Sequence, residues 1–166
     1  MAEKNELIPE RKRNRLKNYN YGTTGVYFLT FCTNERRNQF WSRYERDSRG
    51  TSKYELSREG EIVDQAVNTI PQKYDNVKIC GYMVMPDHVH LLLWLKPDEH
   101  GRPIESTSVS QIINQLKGQV TRELGKSVWQ KGFYDHVVRN KNDFDECLKY
   151  IRENPAKWIF EHIIPE

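Results

Sequence analysis

The chain predicts an α+β domain of ferredoxin-like build: an antiparallel sheet in the order β-α-β-β-α-β, helices on one face, and an additional C-terminal helix. Three observations carry this. Segments rich in β-branched and aromatic residues alternate in that order with segments whose apolar residues recur at helical spacing. Two of the strand segments are separated only by Met85-Pro86-Asp87, a turn that makes them a hairpin. A chain of 166 residues, 37% hydrophobic and 30% charged, suits one domain with its own core.

Residues 1–20 are polar and basic and read as an arm ahead of a single domain at 21–166. Residues 26–33, Val-Tyr-Phe-Leu-Thr-Phe-Cys-Thr, form the first strand. The charged stretch from Asn34 to Tyr54 reads as a loop. Ser57 caps a helix with Ile62, Val63, Ala66, Val67 and Ile70 on one face, and Pro71 ends it. Residues 77–84 and 88–95 are the hairpin strands. In this strand order the first and third strands are central, so His88 opens a mid-sheet strand. Ser108 and Gln111 fit a capping box, each satisfying the other's free backbone N–H. The helix that follows carries Val109, Ile112, Ile113, Leu116, Val120 and Leu124 in one stripe, and Gly125 closes it. Residues 133–139 supply the last strand. Asn142 caps a final helix with Phe144, Cys147, Leu148 and Ile151 on its buried side.

A net charge of +3 does not by itself announce a nucleic-acid binder; the placement of charge says more. Arg11, Lys12, Arg13, Arg15 and Lys17 form a dense run followed by Tyr19 and Tyr21. Such a run can lie along phosphates with rings free to stack on bases, or serve only as a solvated tail. Cys32, Cys80 and Cys147 are odd in number, widely spaced and without a CxxC pair. That excludes a disulfide scaffold or zinc knuckle and suits a reducing compartment. No apolar run reaches the roughly 18 residues that span a bilayer, and the first residues lack an apolar signal core. A cytoplasmic protein is the expectation.

His88 and His90 lie two apart on a strand, so both rings point to one face. Neutral imidazoles ligate divalent metals well. Two readings are open: a rigid two-pronged metal site, or ordinary hydrogen-bonded strand residues. The strand is otherwise strongly apolar, which makes a histidine pair costly without partners. Tyr150 and Asn154, four apart, share one face of the last helix beside the Cys147, Leu148 and Ile151 stripe. There they can look back at the sheet and supply a nucleophile and a ligand together. The alternative is a packing tyrosine, with Asn154 capping a new turn that starts at Pro155.

The segment Gly81-Tyr82-Met83-Val84-Met85-Pro86-Asp87-His88-Val89-His90-Leu91-Leu92-Leu93 resembles the HUH motif of single-tyrosine transposases, most of all the REP-associated tyrosine transposases. Residues 129–139, Trp-Gln-Lys-Gly-Phe-Tyr-Asp-His-Val-Val-Arg, are similar to the same family, as are residues 150–155, Tyr-Ile-Arg-Glu-Asn-Pro, and the first strand. The likeness runs in order from about residue 10 to about residue 160.

The resemblance implies His88 and His90 as ligands of Mg²⁺ or Mn²⁺, with Val89 at the bulky apolar middle position. It implies Tyr150 as the nucleophile and Asn154 as the third ligand, where relatives often carry the longer Gln. The implied activity is metal-dependent cleavage and rejoining of single-stranded DNA beside a hairpin, through a 5′-phosphotyrosine link and a free 3′-hydroxyl. The implied partner is hairpin-bearing single-stranded DNA, with no membrane, and the protein is a monomer or a homodimer, since some relatives exchange the tyrosine helix. DNA contacts fall on Arg11, Lys12, Arg13, Arg15 and Lys17 in the arm, on Arg36 and Arg37, and on Arg139. Competing readings are a non-catalytic DNA-binding relative of the same fold and a zinc hydrolase built on His88, His90 and either Cys80 or Cys147. Asp87 reads as a turn residue or a partner behind the motif, and Lys117 and Arg122 as solvated charges.

Overall fold

The computed structural model describes residues 24–104 and 107–163. Its elements are β1 (Gly25–Cys32), β2 (Trp41–Arg46), β3 (Ser52–Leu56), α1 (Arg58–Lys73), β4 (Val77–Val84), β5 (His88–Leu95), α2 (Val109–Leu124), β6 (Tyr134–Val138) and α3 (Lys141–Ile163). Four strands pair in the order β4-β5-β1-β6 with every neighbour antiparallel. This is the expected α+β arrangement, with β1 and β5 central. The basic arm residues Arg11, Lys12, Arg13, Arg15 and Lys17 lie outside the described residues.

Alternation along the central strands builds two unlike faces. Tyr27, Leu29 and Phe31 of β1 and Val89, Leu91, Leu93 and Leu95 of β5 are buried in the main core. They meet Val63, Ala66, Val67 and Ile70 of α1 and Ile112, Ile113, Leu116 and Val120 of α2. The opposite face carries Phe28, Thr30, Cys32, His88, His90 and Leu92, and α3 packs there through Cys147 and Ile151. The predicted helix pair thus covers one face and the additional helix covers the other.

Ser57 and Ser108 cap α1 and α2 as expected, accepting from the backbone N–H of Gly60 at 3.0 Å and of Gln111 at 3.2 Å. Gly125 closes α2 at φ 72°. Four expectations need correction. The stretch from Asn34 to Tyr54 is not a loop: it holds most of the β2–β3 hairpin, which turns at Gly50 and packs through Trp41 stacked on Tyr54. Pro71 does not end α1, which runs on to Lys73; a proline this close to the C-terminus removes one backbone bond only. Asn140, not Asn142, caps α3: its side chain accepts from Asp143 N while Asp143 accepts from Arg139 N. Lys117 is not solvated, because its ammonium donates to the carbonyls of Gln130 and Gly132 and ties α2 to the segment before β6. Among the described residues no helix is long and apolar enough to cross a membrane.

The first turn of α1 lies against the backbone of the loop before β2. Ser57 N–H donates to the Phe40 carbonyl, and a Cβ placed on Gly60 would stand 2.1 Å from that same oxygen. Gly60→Ala is therefore expected to destabilise the fold by about 3 kcal/mol, the upper end of ordinary overpacking, as read by urea denaturation.

Candidate active site

Register brings the polar side chains of the α3 face together. Thr30 of β1 lies directly opposite His90 of β5, and Cys32 opposite His88. The Thr30 hydroxyl and His90 Nδ1 share a hydrogen bond of 2.8 Å. His88 Nδ1 lies 2.6 Å from Asp87 Oδ1. An ionised carboxylate only accepts, so the proton of that bond resides on His88 Nδ1. The Thr30 hydroxyl donates or accepts and so suits either tautomer of His90. With both Nδ1 atoms engaged, the two Nε2 atoms converge at 3.0 Å.

Asp87 belongs to this cluster rather than to the turn alone, and only 8% of it is exposed. Arg36 Nε meets its second oxygen at 2.8 Å, and Arg36 Nη1 reaches Cys32 Sγ at 2.8 Å. Burial works to raise the Asp87 pKa, but the hydrogen bond and charge of His88 and the Arg36 guanidinium together outweigh it and hold the carboxyl below its usual value. Burial also pushes the His90 pKa well below the ordinary imidazole value, reinforced by the charges of His88 and Arg36. His90 is thus a neutral ring with an available lone pair.

Helix α3 forms the other wall. Tyr150 is 37% exposed, and its ring meets His90 edge-on at 5.2 Å and Phe28 at 6.0 Å. Glu146, Tyr150, Asn154, Trp158 and His162, spaced by four, all line one cavity of about 720 Å³ together with Asp87, His88, His90 and Arg36. The helix is continuous through Pro155, so Asn154 caps no new turn.

The structure thus brings together Tyr150, His88, His90 and Asn154; it adds Asp87 and Thr30, and it sets Arg36, expected as a DNA contact, against Asp87. It does not bring Arg37 or Arg139 into the cavity: Arg37 pairs with Glu35 on the surface, and Arg139 is exposed, with its backbone N–H bound to Asp143. Asp87 was visible in the sequence as a carboxylate adjoining the histidines; nothing in the spacing of Thr30 or Arg36 pointed to the site. The ligand atoms of His136, Asp143 and Cys147 lie within 4.8 Å of one another elsewhere in the cavity. Cys80 packs in the apolar cluster around Leu92. Neither thiol of the zinc reading therefore joins the paired Nε2 atoms. Replacing Thr30 with Val leaves the buried His90 Nδ1 without its partner and is expected to cost about 1–3 kcal/mol in chemical denaturation, whereas Thr30→Ser, which keeps the hydroxyl, costs less.

An uncharacterised protein of Haemophilus influenzae is 27% identical over 93% of this chain and 93% of its own. A REP-associated tyrosine transposase of Escherichia coli K12 is 27% identical over 81% of this chain and 70% of its own. A solved structure of a REP-associated tyrosine transposase bound to a REP hairpin superposes with a TM-score of 0.62, covering 87% of this chain and 74% of that one at 23% identity, and so shares the fold. The family model described as IS200-like transposase matches residues 23–154, from just ahead of the first strand to Asn154. On that match the chain belongs to the IS200-like transposase family, and its likeness within that family is to the REP-associated tyrosine transposases.

Proposed function

We propose that this transposase cleaves single-stranded DNA beside a hairpin by direct attack of Tyr150 on a backbone phosphate. The observation that carries the reading is the 3.0 Å convergence of the His88 and His90 Nε2 atoms against the ring of Tyr150. Two ligands about 2.1 Å from an octahedral ion, at right angles, stand about 3 Å apart, so the pair has the spacing of adjacent ligands to one small divalent cation. Asn154 on the facing wall is the third candidate ligand, and an amide oxygen beside two imidazoles suits Mg²⁺ or Mn²⁺. When bound there, such an ion would place positive charge on a phosphate oxygen and offset the charge of the transition state.

The chain's own residues do the rest. Asp87 and Thr30 set the ring planes of the two histidines. The Tyr150 oxygen, its proton passing to solvent, bonds to phosphorus as the bond to the 3′ oxygen breaks and that oxygen takes up a proton from solvent. The products are a 5′-phosphotyrosine and a 3′-hydroxyl, and the covalent link keeps the energy needed for rejoining. Lys157 lines the cavity and supplies a cation for the DNA backbone; Tyr134 and the exposed His162 offer rings on which unpaired bases can stack. An unpaired strand bends into such a cleft more readily than a duplex. The structural relative's complex with a hairpin supports hairpin DNA as the partner, and the arm from Arg11 to Lys17 is where its backbone would be met.

The test is a labelled single strand carrying a hairpin, incubated with Mg²⁺ or Mn²⁺. Wild-type protein is expected to form a denaturant-resistant DNA adduct that chelator prevents, and His88→Ala to lose at least about 100-fold in rate. Adduct formation by Tyr150→Phe would overturn the nucleophile; specific hairpin binding with no cleavage under any divalent ion would favour a non-catalytic relative. Removing residues 1–20 is expected to weaken hairpin binding and to flatten its salt dependence, by about 0.9 in log–log slope for each duplex phosphate that the arm neutralises.

A further inference from the structure

We infer that Arg36 is a positioning residue for His88, acting through Asp87. The inference rests on the proposed role of His88 as a cation ligand. It starts from the backbone: Glu35 and Arg36 both stand at φ 54°, and they are the non-glycine residues at positive φ among the described residues. That region is sterically disfavoured for an L-residue, and such strain persists only where the surroundings impose it.

The surroundings here are a set of backbone bonds that fasten the turn after β1 to the Pro86-Asp87 turn. Thr33 N–H donates to the Asp87 carbonyl at 2.9 Å, and the Thr33 hydroxyl donates across the turn to the Arg37 carbonyl at 2.8 Å. Gln39 N–H and Phe40 N–H both donate to the Pro86 carbonyl. The strained pair lies between these fastenings, and the Arg36 side chain, though 38% exposed, is carried onto Asp87. A DNA-facing arginine needs none of this. Neighbouring Arg37 points outward, its side chain 67% exposed and paired with Glu35.

Turned inward, Arg36 holds one oxygen of Asp87 while His88 holds the other. A carboxylate gripped at both ends cannot rotate, so it fixes both the plane of the His88 ring and the nitrogen that carries the proton. Nε2 is left as a lone pair aimed at His90 Nε2. The remaining contact of Arg36, to Cys32 Sγ on β1, references the guanidinium to the strand opposite His88. Partners behind a metal-ligating histidine set ligand orientation and basicity, and losing one typically lowers metal affinity 10–100-fold.

The test reads the His88 ring and the cation separately, in protein free of DNA. In metal-free wild type, ¹⁵N NMR is expected to show His88 as a single Nδ1–H tautomer, and Arg36→Gln as a mixture. Calorimetry with Mn²⁺ is expected to show affinity reduced about 10–100-fold in Arg36→Gln, with Arg36→Lys recovering part of it by keeping a cation on Asp87. Arg36→Gln combined with Asp87→Asn should bind Mn²⁺ no worse than Asp87→Asn alone, since both act through one carboxylate. Wild-type tautomer and Mn²⁺ affinity in Arg36→Gln would overturn the inference, and a defect confined to hairpin binding would make Arg36 a DNA contact instead. Should wild type take up no Mn²⁺, the cation reading fails, and the tautomer still decides for or against Arg36. Arg36→Lys, the milder change, keeps the comparison available if Arg36→Gln does not fold.

Discussion

Side-chain alternation along β5 is the constraint on which the rest of the molecule depends. Val89, Leu91, Leu93 and Leu95 are all but fully buried against α1 and α2. The intervening His88 and His90 have no choice of face, because a slip of one residue would drive two imidazoles into an apolar core and set leucines against the polar groups beneath α3. The same pairing sets Thr30 opposite His90. The site geometry is therefore held by the hydrophobic core of the other face, with hydrogen bonds refining ring orientation only. A cleft lined by polar groups on mobile loops would lack that rigidity.

Legibility in the sequence follows the same division. Elements with strong periodicity, namely β1, α1, β4, β5 and α2, stand out because a buried face leaves a regular apolar pattern. So do His88 and His90, whose spacing on an apolar strand places them on one face. The β2–β3 hairpin was hidden because β2 buries only Trp41, and Ser42, Arg43, Glu45 and Arg46 read as loop chemistry. Its signal was the turn Asp47-Ser48-Arg49-Gly50-Thr51, in which Asp47 accepts from Arg49 N and Thr51 N, between segments bearing Trp41, Tyr44 and Tyr54. Asn142 was the expected α3 cap; the cap falls two residues earlier, at Asn140, because Asp143 N bonds to the Asn140 side chain while the Asp143 carboxylate accepts from Arg139 N. Arg36 could not be found by spacing, since its reach to Asp87 depends on a positive φ that no residue type in the turn announces.

The prolines show why propensity alone misplaces boundaries. Pro155 interrupts α3 midway, yet the helix continues to Ile163. The missing backbone bond, and the clash that accompanies a mid-helix proline, are offset by what the second half of the helix packs against. Trp158 stands edge-on to Trp41 at 5.3 Å and to Tyr44 at 5.0 Å, and it stacks on His162 at 3.7 Å. Arg46 lies over the Phe160 ring at 4.7 Å. Aromatic contacts of this kind contribute about 0.5–1.5 kcal/mol each beyond burial, enough in sum to hold the chain helical past Pro155.

That packing gives the hairpin its meaning for the site. Helix α3 has two seats. Toward its N-terminus Leu148 and Ile151 settle on Gly81, where a Cβ would approach a Leu148 methyl to 3.0 Å, so a larger residue there would make that side chain give by a few tenths of an ångström. Toward its C-terminus Trp158 is gripped by Trp41 and Tyr44, and Trp41 is itself pinned through its indole N–H to the Val84 carbonyl at the end of β4. Tyr150 and Asn154 fall between the two seats, and the helix spans the gap as a rigid rod. Their height above His88 and His90 is thus set by contacts at either end, none of which involves a polar group of the site. The hairpin, the least regular part of the fold in sequence, is in effect the distant support of the tyrosine. A change in its aromatic residues would reach Tyr150 by shifting α3 over the sheet, although Trp41, Tyr44 and Tyr54 do not themselves line the cavity.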